Sequence, residues 1–217
     1  MAILQIPGGT FNDDPHEYRD SDGLWVPSCT QTIKLAGLSN FDGARPEDME
    51  AAAERGTELH ELVECYNREG DYDPNWLLPE IEGYFMGYLK FLGDTHFKPD
   101  PAWTEAPIIA TICGMKIGMK LDMFGQFGRD KAVVEVKAAS SVQPSWSIQT
   151  AFQELGVHKS NHVGRVRRHA LQLKKDGTYK LHSYTNSQED EAIAIAALRL
   201  VWWRLNHNQK LWEAVAA

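Results

Sequence analysis

Three cysteines are too few and too scattered to build a scaffold. Cys29, Cys65 and Cys113 are odd in number, and no two have zinc-ligand spacing. A four-cysteine iron–sulfur cluster cannot be assembled from three. Free thiols of this kind suit a reducing interior. Long apolar runs are missing too, so no membrane span is expected. The opening MAILQIPGGTFNDDPHEYRD has no basic segment leading into an apolar one; no secretory signal is expected, and a cytoplasmic setting is. No G-x-x-x-x-G-K-[ST] loop occurs, so no nucleotide cofactor is expected and any ATP-driven step would need a partner. Positive charge is also short. A net charge of −8 excludes a surface that is basic all over, though not a local basic groove. Acids concentrate in 46–82 and 188–191, whereas Arg165, Arg167, Arg168, Lys174 and Lys175 cluster in one later segment.

What is present is ordinary globular material. The 217 residues, 43% hydrophobic and 24% charged, suffice for one sizeable core. Residues 1–27, rich in Gly, Asp and Pro, read as an extended arm. A helical portion over 28–98 follows. It comprises a short amphipathic piece from Ser28 to Leu38, a helix opening at Arg45-Pro46-Glu47-Asp48 and stopping at Gly70, and a second helix over 76–95. Strand-like runs follow at 103–112, 115–124 and 132–136, the last, AVVEV, apolar enough for a central strand covered on both faces. A helix over 144–157 closes near Gly156. Strands over 163–174 and 178–185 are joined by the Asp176-Gly177 turn signal, and a last helix covers 187–212 with Ile193 and Leu200 inside. The pattern predicts one α/β domain over 1–217, with a mixed central sheet flanked by helices over 99–217.

An acid inside an apolar strand is costly unless it is paired, hydrogen-bonded or bound to a metal. Asp122 and Glu135 both pose that problem. Alternation puts Glu135 and Lys137 on one face of the strand and Val136 on the other, so a carboxylate and an ammonium project together. Hard divalent cations require such oxygen ligands, to which the Val136 carbonyl could add one. Taken singly, each acid is also explained as a strand-end residue, solvated or salt-bridged to Lys137 or Lys120. His60 shares a helix face with Gly56 and Glu64, an arrangement that lets a ligand approach and the acid orient the imidazole. Gln149 sits on the helix after the Lys137 strand, where its amide can hold Lys137 or a phosphate oxygen. Glu105 alternates with apolar neighbours and is a further metal or second-layer candidate. Arg165 and Arg167 are candidate phosphate contacts, and Trp146 and Phe152 candidate base-stacking residues. Trp202 and Trp203 read as core.

Taken in order, Gly56-x-x-x-His60, Glu105, Gly118-x-x-x-Asp122, Glu135-x-Lys137 and Gln149 resemble the RecB-like exonuclease branch of the PD-(D/E)XK nuclease superfamily, in particular its compact phage and CRISPR-associated members. The resemblance covers about residues 26–185. It implies a restriction-endonuclease-like core and Mg2+ or Mn2+ held by His60, Asp122, Glu135 and the Val136 carbonyl as one or two ions. It implies Lys137 as the group that orients water and offsets charge, and Gln149 as part of a Q-x-x-x-Y element. At the Tyr position this chain has Gln153, and the iron–sulfur cysteines of some relatives are missing. The implied activity is hydrolysis of DNA, most simply at ends, in phage or bacterial recombination or repair, beside a helicase or recombination partner. A structure-specific or single-strand endonuclease, a non-catalytic DNA-binding module on the same fold, and a metal enzyme with a small-molecule substrate are the competing readings.

Overall fold

The computed structural model describes residues 3–39, 46–161, 164 and 166–207. Three helices precede the main sheet. Ser28 caps α1 (Cys29–Leu35) through its hydroxyl, and Gln31 returns the bond to the Ser28 backbone, so both ends of a capping box are satisfied. Next comes α2 (Pro46–Glu69), which opens as expected on proline with Glu47 and Asp48 in its first turn. A 3-10 turn at Pro74–Trp76 then leads into α3 (Pro79–Thr95).

The stretch expected as an arm is instead a small antiparallel sheet of β1 (Leu4–Ile6), β2 (Gly9–Asn12), β3 (Glu17–Asp20) and β4 (Trp25–Val26). Phe11, Tyr18 and Val26 bury its apolar face together with Ile109 of the main sheet. The Tyr18 ring lies flat against Gly118, where a Cβ would come within 2.3 Å of it. Close approach at that point requires glycine.

The main sheet has the order β5-β6-β7-β8-β9. Its strands are β5 (Phe97–Ile112), β6 (Met115–Phe127), β7 (Asp130–Ala138), β8 (Arg167–Leu173) and β9 (Tyr179–Ser183). β7 and β8 run parallel and the remaining neighbours antiparallel. The parallel step is made by α4 (Ser145–Asn161), and α5 (Ser187–Asn206) closes the described chain. The first two strands outrun their expected limits. Gly125 does not end β6, because it packs against Phe97 and the Lys98 backbone of β5 while the chain turns only at Gly128.

The fold is therefore a mixed α/β sheet with helices on both faces, consistent with a restriction-endonuclease-like core. One core joins α1, α4 and α5 to β5 and β6 through Ile108, Leu121, Ile148, Phe152 and Leu198. The other joins α2 and α3 to the sheet through Leu59, Phe85, Phe91, Val134 and Leu171. In β7, Val133 serves the first core, and Val134 and Val136 the second, so the strand is covered on both sides. Gly156 is no helix stop: α4 runs past it, and a side chain there would collide with the Met119 sulfur. Ile193, Leu200 and Trp203 of α5 are exposed rather than inside; Trp203 stacks on His207, while Trp202 packs on the first core. Residues beyond His207, including Leu211, lie outside the described chain. No helix among the described residues is long and apolar enough to cross a membrane.

Candidate metal centre

The β6–β7 ladder pairs Phe127 with Asp130 and continues as far as Met123 with Val134, where it stops. Beyond that point the Val136 N–H has no strand partner on β6. The Asp122 carboxylate takes it instead, Oδ2 accepting at 2.7 Å. β6 also changes facing here: Ile117, Met119 and Leu121 serve one core and Met123 the other. On the other side of β6, the β5 register shifts between Pro99 and Thr104, and Glu105 carries φ 48. A left-handed backbone at a non-glycine residue costs on the order of 1–3 kcal/mol. The cost places the Glu105 carboxylate beside Asp122.

His60 comes from α2 on the other layer. Its Nδ1 lies 2.6 Å from Glu105 Oε1 and 3.8 Å from Asp122 Oδ1. Lys120 holds the second Glu105 oxygen at 3.0 Å. His60, Glu105 and Asp122 each offer one donor atom, all within 4.8 Å of one another. Glu135 is not one of this trio. Its Oε1 accepts from Lys137 at 2.7 Å and from Gln149, and its Oε2 accepts from Gln153 at 2.5 Å. Lys137 also donates to Gln149 Oε1 at 3.0 Å. All these side chains line one cavity of about 740 Å³ with Asp13, His16 and Glu64 at its edges.

The electrostatics are those of a site short of positive charge. Burial and the adjacent Glu135 push Asp122 well above the ordinary carboxylate range. Burial opposes charge on His60, but Asp122 and Glu105 outweigh it and raise the imidazole to about 9. Glu105 resists burial through its bonds to His60 and Lys120 and stays below its usual value. For Lys137, burial is offset by Glu135 and Asp122, which keep the ammonium above its usual value. Without a metal, His60 is the cation that separates two buried acids. Two carboxylates and an imidazole converging on one point, with a third carboxylate in the same cavity, fit a hard divalent cation.

Of the residues singled out from sequence, His60, Glu105, Asp122, Glu135, Lys137 and Gln149 meet in this cavity. Glu64 lines it but pairs with Arg68 at 2.8 Å; Glu105, not Glu64, holds the imidazole. Phe152 is fully buried in the first core and has no free face for a base. Trp146 is buried beside a neighbouring cavity. Arg167 is exposed, pairs with Asp130 at 2.7 Å and lines neither cavity. Arg168, part of the same basic cluster, is buried against Glu154 and Asp190, and Arg165 lies outside the described residues. Gln153 was missed as a site residue. Its place one turn beyond Gln149, on the same face of α4, was the available signal.

No protein-family model matches the chain, and no curated protein matches it in sequence. Solved structures do. A candidate exonuclease from Eubacterium rectale aligns over 85% of this chain and 82% of its own, at 10% identity and a TM-score of 0.56. An alkaline exonuclease from Laribacter hongkongensis aligns over 84% of this chain and 92% of its own, at 11% identity and a TM-score of 0.37. At such identities the likeness is one of fold. The five-stranded mixed sheet with flanking helices is the architecture shared with the Eubacterium rectale protein.

Proposed function

We propose that the chain is a Mg2+- or Mn2+-dependent deoxyribonuclease of the RecB-like exonuclease type, working on DNA ends as one nuclease domain. The observation that carries this reading is the cluster of His60, Glu105 and Asp122 donors, mutually within 4.8 Å, in a cavity that Glu135 and Lys137 also line. The exonuclease-like fold and the motif order along the chain support it. His60, Glu105 and Asp122 would hold the ion, with Glu135 available to complete its coordination or share a second; the Val136 carbonyl that the resemblance adds would have to reach the ion from the neighbouring cavity, which Val136 lines. When bound, the ion supplies an acidified water and neutralises charge on the scissile phosphate.

The chain's own groups do the rest. Lys137, kept charged by Glu135 and Asp122, offsets the negative charge that accumulates on the phosphorus-bound oxygens during displacement. Gln149 and Gln153 hold the two Glu135 oxygens in place, so this carboxylate is oriented before substrate arrives. Asp122 ties β6 to β7 at the same point. With no nucleotide-binding loop in the sequence, a role in phage or bacterial recombination or repair would rely on a helicase or recombination partner for strand opening.

The test is digestion of 5′- and 3′-labelled linear DNA, single- and double-stranded, beside a covalently closed circle, in Mg2+, Mn2+ or EDTA. Label should leave linear DNA as short products in either metal and stay put in EDTA, with the circle intact. Cleavage of the circle would replace the exonuclease reading with an endonuclease one. Wild-type rates in Asp122→Asn, Glu135→Gln and Lys137→Ala would end the proposal.

A further inference from the structure

We propose that a second cavity, on the other side of Lys137, is the subsite for the nucleotide next to the scissile phosphate, with Arg55 taking that nucleotide's phosphate. The inference rests on the nuclease reading above and adds to it the residues that grip the strand. This cavity measures about 570 Å³ and shares Thr30, Gly56, His60, Lys137 and Gln149 with the first. The two therefore meet at these residues, with the ammonium on their common border.

Their linings differ in sign. Six carboxylates line the first cavity: Asp13, Glu61, Glu64, Glu105, Asp122 and Glu135. Among the described residues none lines the second, whose charged groups besides the shared His60 are Lys34, Arg55 and Lys137. In a chain of net charge −8 this is a marked local reversal. One side suits a cation, the other an anion.

Arg55 is the strongest single indication. Its guanidinium carbon lies over the Tyr84 ring, 5.5 Å from the centroid, within cation–π range. Its Nε is buried with no hydrogen-bond partner, and among the described residues the group makes no ion pair, although α2 is rich in acids. A buried donor without an acceptor is costly, and natural structures rarely leave one so. A phosphodiester offers two oxygens in the geometry the guanidinium fork matches. The remaining lining fits the rest of a nucleotide. Ile33, Ala138 and Trp146 give an apolar floor for sugar and base, and Ser140, Ser141 and Gln143 give polar edges.

Gly56 explains how the strand crosses between the cavities. It lines both, and a Cβ built there meets nothing within 4 Å. Nothing in the packing demands glycine at that helical position. A larger side chain would stand in the passage.

The experiment measures binding of a fluorescein-labelled oligothymidylate of eight residues by anisotropy, in Ca2+ so that the DNA stays whole, across a salt series. Arg55→Ala should weaken binding about tenfold and lower the salt slope by about one. Arg55→Lys should fall between, having charge without the fork. Arg129→Ala, which removes an exposed charge at the β6–β7 turn, should stay within about twofold of wild type. Gly56→Leu should weaken binding while melting no lower than wild type. A scan of single methylphosphonate linkages should find one position that costs the wild type affinity and costs Arg55→Ala nothing further. Equal affinity and equal salt slope in wild type and Arg55→Ala would overturn the inference, even with digestion intact. Loss of binding in Arg55→Ala in a protein that cleaves no DNA would leave the subsite standing and remove the nuclease reading. A wild type that binds no oligonucleotide would remove both.

Discussion

Asp122 Oδ2 accepts the Val136 backbone N–H at 2.7 Å, so one carboxylate both belongs to the His60–Glu105–Asp122 donor cluster and replaces the strand bond that β6 no longer supplies to β7. The two roles separate on mutation. Asp122→Asn keeps an acceptor for the N–H and removes a buried negative charge that Glu135 repels. The metal-free variant should melt higher than the metal-free wild type, lose its melting shift on Mn2+ addition, and lose about 10³-fold or more in cleavage. Asp122→Ala orphans the buried N–H as well and should melt below Asp122→Asn by about 1–3 kcal/mol. Differential scanning fluorimetry with and without Mn2+, read beside rates, checks the whole set.

Gln153 stands where the resemblance expects tyrosine, and its amide holds one Glu135 oxygen. Gln153→Leu should cost about 1–3 kcal/mol in urea unfolding, because a buried carboxylate oxygen loses its donor. Gln153→Glu should cost more, since it sets a second carboxylate against the first. Both should lower kcat at matched folding. If Gln153→Leu retains full kcat, this residue has no part in positioning Glu135.

Arg168 belongs to the architecture. Its guanidinium links α4 to α5, reaching Glu154 at 3.2 Å, Asp190 at 2.8 Å and the Ser147 carbonyl at 3.0 Å. Arg168→Met should destabilise by about 3–5 kcal/mol, as the buried Glu154 and the half-buried Asp190 lose their countercharge. Cleavage per folded molecule at low temperature should be close to that of wild type. A change below about 1 kcal/mol would show the two helices to be held by apolar packing alone.

His169 gives the fold an acid-sensitive element away from the carboxylates. Burial, with Arg167 beside it, lowers its pKa from 6.5 to about 4, while Nδ1 meets Ser183 Oγ at 3.0 Å. In the unfolded chain the imidazole binds a proton near pH 6.5, whereas the folded chain resists protonation down to about 4. Stability from this group is therefore complete above 6.5 and declines as pH falls through that window, by up to about 1.4 kcal/mol per pH unit. Urea titrations at stepped pH should show a shallower decline in His169→Gln than in wild type.

The sequence carried the long elements well, because α2 and α3 each offer enough turns for an apolar stripe, and Pro46 with its acids marks a helix start. Strands of two to four residues offer no such record. Residues 4–26 look like loop by composition, and only their contacts with Ile109 and Gly118 reveal a sheet. In the site, Glu135 and Lys137 were legible because their relation is local. The central place of Glu105 was not, since it depends on a register shift in β5 and on a helix forty-five residues earlier in the chain. The structural role of Arg168 was hidden for the same reason: its partners Glu154 and Asp190 are brought to it only by the packing of α4 and α5.

Tyr18 seated on Gly118 fastens the first small sheet to β6 four residues ahead of Asp122. That makes the opening segment a buttress for the acid, although the His60–Glu105–Asp122 donor cluster takes no atom from it. A chimera or a shortened version lacking residues 4–26 would uncover an aromatic-shaped notch in β6 and loosen the mounting of Asp122 before touching any reacting group. Domain engineering on this scaffold therefore has to treat the two sheets as a single casting.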